Sequence, residues 1–258
     1  MKLNIVPARA GIQWVKLGVQ TFLRQPLALS GLFFMYLMAL LLLNLVPVIG
    51  LVVSLAVVPA ATLGFMAASR QVNEGRFPLP TVLLTAFRAG QQRFRAMLVL
   101  GSVFAATLLA VNLLVNVMVP MPPVPEKADA RVVLAMPEFQ TRFLLSNLLA
   151  LPVYLAFWHA PALVHWHGIS PVKSIFFSTV AVLRNFGALV VYGLGWFGVS
   201  LAGVLLLSVT QAISVFLATA LVLPWFLITG TMFFASIYFT FRDSFVADEP
   251  PLPETNDE

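Results

Sequence analysis

Three histidines fall within nine residues in the stretch WHAPALVHWHG: His159, His165 and His167. Histidines at that density could ligate a metal, but their spacing argues against it. On a helix, residues six apart stand about 240° apart and residues two apart about 200°. None of the i, i+3 or i+4 pairings that let two side chains share an ion occurs, and no carboxylate stands near. His165 and His167, with Trp166, read instead as part of an aromatic belt at a membrane surface. His159 lies deeper in the run and is expected to hydrogen-bond across helices as a neutral imidazole. No metal and no other cofactor is expected.

A second chemical candidate is Ser200, in the stretch GVSLAG at 198–203. The Gly-x-Ser-x-Gly elbow of serine hydrolases needs a glycine where Ala202 stands. A dyad of Ser200 with His159 is one reading, and packing of small residues inside a span is the other. A third group is polar and uncharged: Asn44, Asn112, Asn116, Asn147 and Gln211. Asn112 and Asn116 are four apart and share one helix face. With Gln211 and His159 they could line a polar path for a solute, or each could bond a neighbouring helix. No Asp, Glu, Lys or Arg lies well inside an apolar run. Ion-coupled transporters keep such a group at mid-membrane, and intramembrane aspartyl proteases need two, so both classes lose their main support.

The elements that would hold these residues follow from composition. Of 258 residues, 60% are hydrophobic and 10% charged, where a soluble domain carries roughly 25% charged. The chain's solvent must be largely lipid. It has no cysteine, which removes disulfides, thiol catalysis and Cys-type zinc sites. Six apolar runs, at about 27–46, 48–68, 97–119, 143–166, 187–209 and 213–240, are long enough to cross a hydrocarbon core of about 30 Å. The sequence therefore predicts an all-α integral membrane protein with six transmembrane helices. The last run is overlong and is expected to tilt, to bend at Pro224 or to project. The first run is too long for a signal-peptide core, so no cleavable signal is expected.

With six spans, Lys and Arg outside the runs divide twelve to three. The smaller set, Lys127, Arg131 and Arg142, shares one loop. By the positive-inside rule both termini are expected in the cytoplasm. The membrane domain is expected to run over 1–242, followed by an acidic disordered tail at 243–258. Five of the ten acids stand in its final stretch, DEPPLPETNDE, and the net charge of +5 masks a strongly basic remainder. The outer loop near 120–142 is expected to carry a short helix around 128–135.

Three stretches of mixed polarity, 11–24, 81–95 and 171–185, each carry a basic residue at or next to their end (Arg24, Arg95 and Arg184) and lead into a span. In the first, Gln13, Lys16, Gln20 and Arg24 share one helix face, with Ile12, Val15, Val19 and Phe22 on another. In the second, Thr81, Thr85, Arg88, Gln92 and Arg95 form the polar side. In the third, Ser170 and Pro171 suit an N-cap and first position, and Ser174, Ser178 and Asn185 make a weaker polar face. All three are expected to be cytoplasmic-side interfacial helices, apolar side down. A threefold repeat of interfacial helix, span out and span back is the resulting expectation, with units 9–70, 80–168 and 170–242. Pro59, Pro161 and Pro224 recur in the returning spans. Ala56, Ala60, Gly64 and Ala68 form a small-residue stripe that predicts a close helix–helix interface.

The opening MKLNIVPARAGIQWVKLGVQTFLRQPLALSGLFFMYL resembles the start of an uncharacterised family of proteobacterial multi-pass inner-membrane proteins. The resemblance implies a bacterial inner membrane and assigns no activity. The leading functional expectation is a non-enzymatic protein that binds partners or anionic phospholipid through its basic face. The lipid contacts would come from Arg24, Arg70, Arg88, Arg93, Arg95 and Arg184, at about 1 kcal/mol per charge. The alternative is a permease or channel for a small neutral or apolar solute, lined by Asn112, Asn116, His159 and Gln211. A homo-oligomer or a membrane-protein partner fits either reading. Nucleic acid is not an expected partner, because no binding module fits in the short basic loop.

Overall fold

The structure is a computed structural model that describes residues 2–122 and 129–246. Lys127 and the acids from Asp248 onward lie outside the described residues. The helices are α1 (Ala10–Arg24), α2 (Pro26–Leu43), α3 (Ile49–Asn73), α4 (Gln91–Met118), α5 (Ala130–Ala135), α6 (Pro137–Phe157), α7 (Ala160–His167), α8 (Pro171–Arg184), α9 (Phe186–Ile213) and α10 (Val215–Ser244). A short 3-10 helix, Pro80–Phe87, precedes α4, and two antiparallel strands, β1 (Lys2–Leu3) and β2 (Phe245–Val246), join the chain's ends.

This is an all-α membrane protein. Six segments are long and apolar enough to cross a bilayer: α2, α3, α4, α6 with α7, α9 and α10. They cover the six apolar runs of the sequence. Large apolar side chains such as Leu27, Leu113, Leu194 and Phe216 are exposed along them, as a lipid solvent requires. The core gathers around α3 and α10, which touch each other and most of the remaining spans.

The fourth crossing is broken. Helix α6 stops at Phe157 and α7 restarts at Ala160, with Pro161 in its first turn. Proline has no N–H to donate and its ring clashes with the carbonyl four residues back, which here belongs to Phe157. The His159 N–H at the break donates to Ser178 Oγ of α8 (2.9 Å), so the interruption leaves that donor satisfied.

The three stretches before the spans turn out unlike one another. Helix α1 keeps Gln13, Lys16, Gln20 and Arg24 outward, but its other side, with Trp14, Val15, Gly18 and Phe22, is buried against α9 and α10 rather than against lipid. The second stretch is not one helix over 81–95. The 3-10 turns end at Phe87, Gly90 adopts φ +91, and Arg93 and Arg95 fall in the first turns of α4. A positive φ of that size suits glycine and ends any regular helix. In α8 the polar face points inward: Ser174 and Ser178 are wholly buried and Asn185 nearly so, while Val172, Phe176 and Leu183 are exposed. In an apolar solvent polar groups are better satisfied inside the protein, which inverts the ordinary amphipathic pattern. Each stretch nevertheless lies on a returning span: α1 on α10, the 3-10 helix on α3, and α8 on α6 and α7.

The small-residue stripe is an interface. A Cβ at Gly64 would come within 2.8 Å of Leu83 Cα in the 3-10 helix. A Cβ at Gly101 of α4 would come within 2.2 Å of the Ala56 carbonyl oxygen. Residues 243–246, placed with the tail by the sequence, instead complete α10 and form β2. Asn4 N–H donates to Ser244 O (2.9 Å), and Asn4 Nδ2 donates to Asp243 O (2.9 Å).

Candidate functional site

The 3-10 helix is the element on which charged and apolar surfaces meet. Helix α3 ends in a turn through Gly75, whose φ is +75. The run Phe77-Pro78-Leu79-Pro80 then holds the chain extended, since a residue before proline disfavours the helical region. Leu79 has φ −71 and ψ 153, and Pro80 opens the 3-10 helix. Val82 and Ala86 turn inward and are buried. The chain thus lies across α3 at Gly64 and leaves space along both of its sides.

On the side toward the chain termini is a pocket of about 410 Å³, lined by Gln71, Arg76, Thr81, Thr85, Arg88 and, from α7, His165. Along the other side, between α2 and α3, runs an apolar groove of about 350 Å³ whose walls include Met35, Tyr36, Ala39, Ala60, Leu84 and Phe87. Thr81 borders both.

Glu74 is the carboxylate beside the pocket. It accepts from Arg70 Nε (2.8 Å) and from Arg76 Nη2. These two guanidinium groups hold its carboxyl below the usual glutamate value. Arg70 also stands over the Trp166 ring, 6.0 Å from its centroid. Arg24 Nη1 donates to Asn73 Oδ1 (3.0 Å). Among the described residues, Arg88, Arg93 and Arg95 are exposed and pair with no carboxylate. Arg93 lies near enough for its charge to act on His165. The arginines singled out in the sequence therefore divide. Arg88 lines the pocket with Arg93 beside it, Arg24 and Arg70 are tied to the end of α3, and Arg184 closes α8 outside the pocket lining. Gln71, Thr85 and His165 join the site only through the fold, because His165 arrives on α7, far along the chain.

The four residues expected to line a solute path are not brought together. Asn112 and Asn116 bond each other (3.0 Å) near the far end of α4, and Arg142 of α6 donates to Asn116 Oδ1 and to the Val119 carbonyl (3.1 Å). Gln211 lines a separate cleft between α9 and α10. His159 is fully buried at the break between α6 and α7. Its Nε2 lies 3.2 Å from Thr240 Oγ1, which also accepts from Trp158 Nε1 (2.9 Å) and donates to the Ile237 carbonyl (2.7 Å). With the Thr240 proton committed, Nε2 must be the donor and Nδ1 carries the lone pair. The separation has a simple cause: Asn112 and Asn116 sit on α4, Gln211 lines a cleft between α9 and α10, and His159 lies at the break between α6 and α7, and helical spacing alone does not reveal which of these helices pack together. Asn44 and Asn147 are likewise satisfied nearby, by Ser54 Oγ (2.9 Å) and the Phe143 carbonyl (2.7 Å).

Ser200 is an exposed residue in the middle of α9, and Gly203 receives the Trp225 ring. No elbow forms there, and the His159 imidazole bonds Thr240 rather than Ser200. A further cavity of about 360 Å³ lies between α3, α4, α6 and α10, where Phe104, Tyr154, Phe157, Trp158, Phe233 and Phe234 surround Pro59 and Pro161. Pro224 is exposed on α10 and takes no part in it.

A probable inner membrane protein of Burkholderia thailandensis is 36% identical to this chain over 273 residues, in an alignment that covers the whole of both. The chain belongs to this family of inner-membrane proteins. The six crossings and the apolar exterior are what such a membrane demands, and the finding agrees with the resemblance carried by the opening residues. No family model matches the sequence, and no solved structure matches it. The relative's name states a location and no activity, so the functional reading must come from the site.

Proposed function

We propose that the protein is a non-enzymatic inner-membrane component that binds anionic phospholipid headgroups in the basic pocket beside the 3-10 helix. The observation that carries this reading is the pocket's lining: Arg76 and Arg88 converge with Gln71 and His165 in one concavity. Arg93, which pairs with no carboxylate among the described residues, adds positive charge close to His165. A guanidinium offers a rigid fork of donors that matches a phosphate. On the positive-inside argument this face, with both termini, is cytoplasmic, where anionic lipid attracts basic surface.

A solute permease has less support. Its four lining residues are distributed over separate places, and three of them are engaged with protein partners. Among the described residues no catalytic constellation replaces the Ser200–His159 pairing.

The test is native mass spectrometry of the purified protein with co-purified lipids identified. Neutralising Arg88, Arg93 and Arg95 to Gln is expected to remove most of the retained phosphatidylglycerol or cardiolipin while the thermal transition stays put. Equal retention by the triple variant would reject the reading.

A further inference from the structure

Resting on that reading, we infer that the 3-10 helix Pro80–Phe87 is straddled by a single anionic phospholipid. Its phosphate lies at Arg76 and Arg88, and one acyl chain lies in the apolar groove between α2 and α3.

Two independent features point to one amphiphile rather than to a headgroup alone. The first is chemical order. Arg76, Arg88 and Gln71 supply donors on one side of the segment, among Phe77, Leu79 and Val82, and the other side is lined almost wholly by hydrocarbon and aromatic surface. Thr81 stands at the boundary and borders both spaces. The second is length. Gln71 of the basic pocket and Ala60 of the groove are eleven residues apart on α3, a rise of about 16 Å. Half of a hydrocarbon core of about 30 Å is about 15 Å. The two spaces are therefore stacked along the crossing direction at the separation of a lipid's phosphate from the lower part of its chains within one leaflet. A soluble phosphate compound would use the pocket and leave the groove empty. A neutral lipid would use the groove and leave Arg88 without an anion, since Arg76 already meets Glu74.

The structure also shows why such a site forms here. A 3-10 helix of eight residues stacks side chains at i and i+3 and presents a narrow ridge. Resting on α3 at the Gly64 contact, that ridge cannot fill the space against α2. Tyr36 and Ala39 on α2 and Ala60 and Ala61 on α3 form the walls that remain.

The experiment measures binding to the detergent-purified full chain by native mass spectrometry titration with three probes. These are a long-chain phosphatidylglycerol, its dibutyryl analogue and glycerol 3-phosphate. Ala39 is exposed in the groove wall, so Ala39→Trp obstructs the groove with little effect on packing; Met35→Trp, at another exposed wall position, gives the same test should that variant fail to fold. The wild-type chain is expected to bind the long-chain lipid at least tenfold more tightly than the dibutyryl analogue. Ala39→Trp is expected to abolish that difference and leave the short-chain probe unchanged, whereas Arg88→Gln should weaken every phosphate-bearing probe about tenfold. Unaltered long-chain binding in both groove variants, with loss in Arg88→Gln, would overturn the straddling lipid and spare the headgroup reading. Unaltered binding in Arg88→Gln would overturn both. Glycerol 3-phosphate binding as tightly as the lipid would identify a soluble anion as the ligand and also reject the straddling geometry.

Discussion

Helix α1 and the 3-10 helix hold the same place in the chain's logic, each just ahead of a span and each lying on a returning span, yet they are packed in opposite ways. Helix α1 is sealed. A Cβ at Gly11 would come within 2.1 Å of the Ala188 carbonyl oxygen, and one at Gly18 within 2.4 Å of Ser236 Cβ. Between those glycines Trp14 is buried, and its Nε1 donates to Asp243 Oδ2 (2.8 Å). The 3-10 helix touches α3 closely at Gly64 and leaves open space on both flanks. Two glycines seven residues apart lie on one face of an α-helix, so they allow backbone-to-backbone contact over two turns. Eight residues of 3-10 helix allow it at one point. Close packing makes the first a structural seam, and the incomplete packing of the second leaves the space that the proposed lipid would fill.

The largest effect should come from the sealed side. Gly11→Val forces a branched side chain into the Ala188 backbone and is expected to destabilise the protein by about 3 kcal/mol, read as a lowered thermal midpoint in detergent. Gly193→Ala, on the same helix α9 with nothing within 4 Å, is the control and should not destabilise. Next is Asn185, which is buried at the start of α9. Its Nδ2 donates to the Asn4 carbonyl (3.0 Å) and Ser244 Oγ (3.2 Å), and its Oδ1 accepts from Val6 N–H (2.9 Å). Asn185→Ala strands these groups and should lower stability by about 2 kcal/mol. Gly64→Ala tests the open side. Its new methyl meets a short segment with room to shift, so about 1 kcal/mol is expected. A loss as large as that of Gly11→Val would erase the contrast between the two regions.

The smallest effect concerns pH. The Glu74 carboxyl is held low by its two arginines, so the native state favours its ionised form. That contribution is present above the ordinary glutamate value of about 4.3 and is lost as the pH falls through the depressed native value. Because Glu74 is fully exposed, the slope should be slight, and Glu74→Gln should flatten it in thermal melts taken between neutral and acid pH.

What the sequence made legible was what lipid solvation dictates directly. Run length placed the crossings, whereas Pro59, Pro161 and Pro224 read alike and only Pro161 stands at a break. The outward face of α1, with Gln13, Lys16, Gln20 and Arg24, was readable, but its inner face was only half so: Val15 and Phe22 are buried as the pattern suggests, whereas Ile12 is exposed and Trp14 and Gly18 pack against protein. The same logic misread α8, since Ser174 and Ser178 are polar by type yet small enough to pack inside, and a serine in a periodic pattern does not say whether its partner is water or protein. The stretch 81–95 fits helical spacing on paper; only the backbone at Gly90, which no periodicity records, divides it. The pocket itself needed tertiary placement, because His165 and Arg88 lie on separate segments that the packing of α7 and the 3-10 helix brings side by side. Asn112, Asn116, Gln211 and His159 taught the converse, since shared polarity carries no information on shared depth.

The pairing of Lys2–Leu3 with Phe245–Val246 sets a schedule for biogenesis. Residues 2–3 must wait for their partners until residues 245–246 have been made. Helix α1 has no α9 to rest on until the fifth crossing has been inserted and no α10 until the sixth, so its Trp14 and paired glycines must wait through the synthesis of the chain between. A nascent chain arrested before α10 would leave that face unfilled.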